Sequence, residues 1–290
     1  MLVFYASLTG LSVGKLFLGA FGPGFLLSSL FITYILIITA IRPKMAPRLG
    51  ELSKHAEYSA VDNPKTKHKH PRLRALLAFL PMALLLIAVL GTIIAGIATP
   101  TEAAASGAFG AIIIAAIYRK LNFTTLKDAC LSTTETMAMF GGILAGSMCF
   151  TAVFAGLGGK EMMKDLIFAI GGSPLGMLLV MLGIIFILGM FIDQFPILLI
   201  ALPAFIPISL ELGWDPLWFG MVICVTLQTS WLTPPFGYAL FFLKGLKMPG
   251  VTFADICWGC VPFILLQLVG VVACIAFPQI VLWLPNLLIK

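Results

Sequence analysis

Apolar runs of about eighteen residues or more recur along this chain, and they limit strongly how it can fold. Hydrophobic residues make up 60% of the 290 positions and charged residues only 10%, whereas soluble domains have about 25% charged residues. A helix of this length crosses the bilayer core and satisfies its own backbone hydrogen bonds. Period-2 alternation is nowhere sustained, which argues against strands that span a membrane. The sequence predicts an all-α, polytopic helical membrane protein.

Charge divides the chain into three parts. Residues 1–41 hold one predicted span, Leu16–Ile41, and residues 42–74 form a basic loop that carries nine of the eighteen Lys and Arg residues. Such a concentration indicates the cytoplasmic side of a membrane, so the formal net charge of +6 calls for no nucleic-acid partner. Residues 75–290 hold the remaining predicted elements: spans at 75–98, 103–118, 129–157 (interrupted at 141–142) and about 255–284, and a loop at 158–174.

A hairpin is predicted at about 175–210. Two apolar runs, Leu175–Ile192 and Pro196–Leu210, flank Asp193, and at 18 and 15 residues they are short for full crossings. If the hairpin enters and leaves on the same side, the three basic segments, residues 42–74, 119–127 and 244–247, all fall on one face, as the positive-inside rule requires. The pattern therefore favours a re-entrant hairpin, whose irregular tip is tolerated only inside protein or a water-filled cavity.

Asp193 is the one charged residue between Pro174 and Glu211. A carboxylate at membrane depth is costly and is typical of a cation ligand or proton carrier. The alternative is an N-cap for the second arm, since Pro196 follows closely and Pro favours a helix start.

A broken helix is predicted at about 217–243, interrupted by Thr233-Pro234-Pro235. The prolines lack N–H donors and so free carbonyl oxygens, beside the hydroxyls of Ser230 and Thr233. Unwound backbone rich in oxygen suits a hard cation such as Na⁺. The alternative is a proline kink that binds nothing.

Thr99 and Glu102 have the spacing of a capping box, with Pro100 at the first helical position. We expect Glu102 to cap a helix; direct contact with a solute is the alternative.

The sequence contains few of the residue patterns that are typical of enzymes. The three histidines lie in the basic loop, and neither a zinc-protease motif nor a phosphate-binding loop is present. Cys257 and Cys260 form a C-x-x-C in an apolar helix without a second pair, which favours buried small residues over a metal site. The chain is predicted not to be an enzyme and to need no cofactor beyond a coupling Na⁺.

The motifs together resemble the large membrane subunit (DctM type) of tripartite ATP-independent periplasmic (TRAP) transporters, from Leu11 to Leu284. They are Gly96-Ile97-Ala98-Thr99-Pro100-Thr101-Glu102-Ala103-Ala104-Ala105, Gly189-x-Phe191-x-Asp193, Gly213-Trp214-Asp215-Pro216-x-Trp218-Phe219-Gly220 and Thr233-Pro234-Pro235-Phe236-Gly237-Tyr238-Ala239-Leu240-Phe241.

The resemblance implies an elevator-type, Na⁺-coupled importer of small organic acids, such as C4-dicarboxylates or keto acids, in the bacterial inner membrane. Its implied partners are a small four-helix membrane subunit and a periplasmic solute-binding protein. Residues 1–41 would end a first inverted repeat, most of which is lacking here, and residues 75–290 would form the second. Carried over by motif, the cation and substrate site comprises Gly189, Asp193, Ser230, Thr233, Pro234, Pro235 and Gly237. Many members of the family have Gly where Ser230 stands.

Two rival functions remain open at this point. The first is an anion:cation symporter that works without a binding protein. The second is an inactive membrane scaffold that is a fragment of a transporter.

Overall fold

A computed structural model describes residues 1–42, 71–235, 237–245 and 251–288. Most of the predicted basic loop at 42–74 lies outside these residues. The described ranges form helices and contain no strand. In chain order the helices are α1 (Leu2–Thr9), α2 (Val13–Ile41), α3 (Pro71–Ile94), α4 (Pro100–Ile117), α5 (Phe123–Gly156), α6 (Gly159–Gly171), α7 (Pro174–Gly189), α8 (Gln194–Glu211), α9 (Pro216–Trp231), α10 (Tyr238–Gly245), α11 (Phe253–Ala276) and α12 (Gln279–Leu288).

Five of the described helices, α2, α4, α5, α8 and α11, are long and apolar enough to cross a membrane. This confirms the predicted fold class of an all-α, polytopic helical membrane protein. The remaining apolar helix of the predicted hairpin, α7, has 16 residues and is shorter than a usual span.

The chain divides into two compact units, one formed by residues 28–120 and the other by residues 1–27 and 121–290. In the smaller unit α3 packs against α4. Small residues of α4 permit this approach: a Cβ at Gly107 would lie 3.1 Å from the Val89 side chain, and one at Gly110 would collide with Leu85.

The larger unit is built around α9, which packs against α7, α8, α11 and α12. Twelve residues of α9, from Leu217 to Ser230, are buried. Half of the apolar window of α8 is also buried, against 6% for α5, so α8 belongs to the core and α5 to the periphery. From α1, the fully buried Tyr5 donates a 2.7 Å hydrogen bond to the Pro216 carbonyl, and its ring fills the space that Gly220 leaves.

Two inter-helix hydrogen bonds in this unit satisfy carbonyls that prolines leave free. Pro203 has no N–H to offer the Leu199 carbonyl one turn earlier, and the Thr151 hydroxyl of α5 donates to it at 3.2 Å. Pro278 likewise leaves the Cys274 carbonyl free, and the indole N–H of Trp218 donates to it at 2.8 Å. These two hydrogen bonds therefore join α8 to α5 and the C-terminal end of α11 to α9.

The predicted loop at 158–174 is wrong, because residues 159–171 form the helix α6. Its charges lie at helical spacing and leave an apolar face that buries Ile167 completely. Lys164 of α6 pairs with Glu211 at the end of α8 at 2.6 Å.

Two further predictions need correction. The expected interruption at Gly141-Gly142 is absent, since α5 runs unbroken through both, which costs the helix only about 1 kcal/mol per glycine. The single last span at about 255–284 is instead divided into α11 and α12 at Phe277-Pro278. Pro278 cannot donate to the preceding turn, so the helix ends before it.

Candidate functional site

The first break in the larger unit lies between α7 and α8, at residues 190–193. The amides of Met190 and Ile192 turn back to the Phe186 and Leu188 carbonyls and close the last turn of α7. Asp193 occupies the N-cap position of α8, yet its side chain makes no capping hydrogen bond. The structure therefore confirms the predicted position of Asp193 at the start of the second arm, but without a capping hydrogen bond from its side chain. Asp193 is half-buried, and its carboxylate is available for another role.

The second break lies between α9 and α10, and the described part of it comprises residues 232–235 and 237. The Thr233 amide donates to Ser230 O at 3.0 Å and the Thr233 hydroxyl to Thr229 O at 2.9 Å. Pro235, joined to Pro234 by a cis peptide bond, has no N–H to give the Trp231 carbonyl one turn earlier. A Cβ at Gly237 would lie 2.8 Å from that carbonyl oxygen, so the chain passes close to the helix end.

The two breaks meet where α7 and α9 end. A Cβ at Gly189 would collide with Ser230 Oγ and would lie 2.9 Å from Ser230 Cβ and 3.3 Å from Leu227 Cδ2. Ser230 is fully buried, and its hydroxyl donates to Leu227 O at 2.7 Å. Only glycine at 189 permits this approach of α7 to α9.

The electrostatic consequence follows from helix direction. Both α7 and α9 present C-terminal ends at this meeting point, and each such end carries the equivalent of about half a negative charge. The hydroxyls of Thr229, Ser230 and Thr233 each donate a hydrogen bond to a carbonyl of α9. The arrangement concentrates oxygen atoms and negative potential, which favours a hard cation.

The predicted site residues are thus partly brought together. Gly189 and Ser230 are in contact, and Thr233, Pro234, Pro235 and Gly237 follow along the same break. Asp193 lies four residues beyond Gly189 and makes no hydrogen bond to the second break among the described residues. The residues that the structure describes also contain no cluster of three or more His, Cys, Asp or Glu residues that could hold a metal.

The capping box at the start of α4 is confirmed. Glu102 Oε2 accepts hydrogen bonds from the Thr99 amide at 2.8 Å and from the Thr99 hydroxyl at 2.7 Å, and the Glu102 amide donates to Thr99 Oγ1 at 3.3 Å. Pro100 stands in the first turn. The motif is accounted for by its structural role.

Sequence reasoning missed the surroundings of Phe195, in the first turn of α8. The Phe195 ring lies against Phe140 of α5 and Phe4 of α1, beside an almost wholly apolar cavity of about 370 Å³. The cavity is lined by Phe4, Met137, Phe140, Gly141, Ile143, Leu144, Phe195 and Leu199. Periodicity within α8 could not have found this cluster, because it depends on two helices distant in sequence.

Comparison with known proteins assigns the family. Residues 1–280 match the profile of the family described as "Tripartite ATP-independent periplasmic transporter, DctM component". The chain is 30% identical, over 99% of its own length, to the C4-dicarboxylate TRAP transporter large permease protein DctM of Pseudomonas aeruginosa. It is 29% identical to the sialic acid TRAP transporter permease protein SiaT of Haemophilus influenzae and 28% identical to the ectoine/5-hydroxyectoine TRAP transporter large permease protein UehC of Ruegeria pomeroyi, again over 99% of its length.

The chain spans 63% of the length of the Pseudomonas and Ruegeria relatives and 44% of that of the Haemophilus relative. The family is one of transporter permease components and not of enzymes. This multi-pass membrane protein belongs to the DctM component family of the tripartite ATP-independent periplasmic transporters.

Proposed function

We propose that this chain is the transport subunit of a Na⁺-coupled TRAP importer of small organic acids in the bacterial inner membrane. The observation that carries the proposal is the meeting of the C-terminal ends of α7 and α9 at Gly189 and Ser230. Two negative helix ends beside unwound backbone form a site that attracts a cation within a membrane protein. The membership of the family of transporter permeases supports the same conclusion.

In the proposed site the second break supplies neutral oxygen ligands to Na⁺, from Thr233 and from the Trp231 carbonyl, to which Pro235 has no N–H to donate. Asp193 supplies the negative charge, since its carboxylate is not used as a helix cap. Gly189 and Gly237 contribute by permitting close approach of the backbone. The buried indole N–H of Trp231, which has no acceptor among the described residues, is a donor available to a substrate carboxylate.

The proposed substrate is a small organic anion, such as a C4-dicarboxylate or a keto acid. One of the relatives, 30% identical, is named for C4-dicarboxylates, and others are named for sialic acid and ectoine. The proposed partners are a small four-helix membrane subunit and a periplasmic solute-binding protein, since the family is described as tripartite. Transport would proceed by an elevator motion, in which binding of cation plus substrate shifts the population between outward-facing and inward-facing states.

The first test compares thermal unfolding of the purified protein in NaCl and in KCl of equal ionic strength. A ligand that binds the native state raises Tm with its concentration. We expect Na⁺ to raise the Tm of the wild type and to lose this effect in Asp193→Asn. Asp165→Asn, which removes an exposed carboxylate of α6, is the control and should keep the wild-type response. An undiminished response in Asp193→Asn would contradict the coupling role.

The second test measures uptake into vesicles with and without the binding protein. Na⁺-dependent uptake that requires the binding protein supports the tripartite proposal. Uptake without it would instead favour an anion:cation symporter. The substrate class is checked by the same thermal method, with a C4-dicarboxylate, a keto acid, sialic acid and ectoine compared in NaCl.

A further inference from the structure

Phe195 lies two residues after Asp193, and its ring is held by two aromatic contacts from other helices. The ring centroid lies 4.5 Å from that of Phe140 on α5, with the planes at 90°. It lies 6.0 Å from that of Phe4 on α1, with the planes at 83°. Both are edge-to-face arrangements of the kind that aromatic pairs prefer. The first turn of α8 is thereby connected to two helices that contribute none of the proposed cation ligands.

The Phe195 ring also lines the 370 Å³ cavity, together with Phe4 and Phe140. The cavity is open on one side, where Met137 and Gly141 of α5 are exposed, and a side chain beside open space lacks contacts on that side. Part of this space exists because Gly141 has no side chain: a Cβ there would meet nothing within 4 Å. The position of the ring therefore depends mainly on Phe4 and Phe140 and less on close packing all round.

Helix α8 is held to α5 at a second point one turn further along. The Thr151 hydroxyl donates to the Leu199 carbonyl, which Pro203 leaves without its usual partner. The first turn of α8 is thus placed by the aromatic contacts of Phe195 and the next turn by this hydrogen bond. Asp193 precedes α8 directly and has no capping bond of its own, so the position of its carboxylate follows that of the first turn.

We infer that Phe195 is a positioning residue that sets where the Asp193 carboxylate stands relative to the break after α9. It acts through its ring contacts with Phe4 and Phe140 and touches neither ion nor substrate. This inference rests on the proposed Na⁺ site.

The test measures the Na⁺ concentration that gives half of the maximal thermal stabilisation. Phe195→Ala should raise it by about tenfold or more, because a misplacement of about 1 Å can cost on the order of 100-fold at a positioned group. Phe195→Leu, which restores part of the side-chain volume, should fall between Phe195→Ala and the wild type. Phe150→Ala removes one ring of the Phe150–Phe154 stack on α5 and should leave the value within about twofold of the wild type, as expected of a ring outside the tip. A lower Tm for Phe195→Ala with an unchanged Na⁺ midpoint would mean a merely structural role and would overturn the inference.

A second measurement separates this inference from the proposed function. Hydrogen exchange at the amides of Met190 to Ile192 should be faster in Phe195→Ala, while exchange along α9 stays unchanged. If Na⁺ does not stabilise the wild type, the proposed function fails. Hydrogen exchange at Met190 to Ile192 then decides by itself whether Phe195 positions this break. Unchanged exchange at these amides overturns the inference in either case.

Phe195→Ala tests nothing if it fails to fold, so a variant of opposite design is included. Gly141→Leu places a side chain in the cavity and should slow exchange at Met190 to Ile192 by restraining the Phe195 ring. Gly142→Leu is the matched control, since Gly142 lies outside the cavity lining and a Cβ there also meets nothing within 4 Å. If neither Gly141→Leu nor Gly142→Leu changes hydrogen exchange at Met190 to Ile192, the inference is wrong.

Discussion

The breaks after α7 and α9 interrupt apolar helices of equal length, 16 residues each, but they are constructed differently. The first break, residues 190–193, contributes the carboxylate of the half-buried Asp193, and the Phe195 ring that follows it packs against Phe140 of α5. The second contributes hydroxyls and carbonyl oxygens on a helix that is buried over most of its length. The charged group thus belongs to the break beside the open cavity that Phe195 lines, and the neutral oxygens belong to the break that follows the buried helix α9.

This difference has a physical reason. An unpaired carboxylate is costly in the core, whereas hydroxyls can bond to carbonyls of their own helix, as those of Thr229 and Ser230 do. The second break, which supplies the neutral oxygens of the proposed site, can therefore be rigid without a bound ion. The Asp193 carboxylate of the first break is tolerated only where water or a cation reaches it. Four substitutions test this division, ordered by their expected effect on stability.

Gly189→Ala should have the largest effect, because its methyl group would collide with Ser230 where the two breaks meet. We expect a loss of about 1–3 kcal/mol in the free energy of unfolding, as for overpacked cores, together with loss of the Na⁺ response. Denaturant or thermal unfolding in KCl and NaCl measures both. Gly183→Ala on the same helix meets nothing within 4 Å and should be close to neutral.

The double variant Gly189→Ala, Ser230→Gly sharpens this prediction. Removing the Ser230 side chain should restore part of the lost stability, since that side chain is the main obstacle. Equal stability of the single and double variants would mean that the contact does not limit the approach of α7 to α9.

Gly237→Ala should have the next largest effect. Its methyl group would lie 2.8 Å from the Trp231 carbonyl oxygen and 3.0 Å from the flexible end of Leu240, which can move aside. We expect a loss of about 1 kcal/mol, at the lower end of the range for overpacking. Gly245→Ala, at the other end of α10 with nothing within 4 Å, is the control in the same unfolding assay. A neutral Gly237→Ala would show that the second break is not rigid.

Thr233→Val removes the hydroxyl that donates to Thr229 O while keeping the shape of the side chain. In KCl the loss of stability should be about 0.6 kcal/mol, typical of a polar contact in a membrane protein. In NaCl the loss should be larger if the hydroxyl oxygen is a cation ligand. A titration of Tm with Na⁺ distinguishes the two contributions, and identical losses in both salts would remove Thr233 from the proposed site.

Asp193→Asn should have the smallest effect on the protein without Na⁺, within about 0.5 kcal/mol in KCl, because the carboxylate caps no helix. The same variant should lose the stabilisation by Na⁺, so its whole effect appears in NaCl. Unfolding curves in the two salts measure this contrast. A marked loss in KCl would show that Asp193 has a structural partner and would weaken the distinction between the two breaks.

Much of the site could be predicted from local sequence. The first break follows from an isolated Asp between apolar runs, and the second from consecutive prolines, which cannot donate to the preceding turn. The capping box of Thr99 and Glu102 follows from spacing alone, since its hydrogen bonds form within one helical turn. The loop predicted at 158–174 is wrong, because its charged residues have helical spacing and leave an apolar face on α6.

The sequence by itself determined the all-α membrane fold, the two breaks and most of the residues around them. These features depend on hydropathy, proline chemistry and turn-length spacing, which act between neighbours in the chain. Only the tertiary structure decided that Gly189 meets Ser230, that Thr151 satisfies the carbonyl freed by Pro203, and that Phe195 is held by Phe4 and Phe140. These contacts join residues about 40 to 190 positions apart, and their geometry is set by how whole helices pack, which no local pattern records.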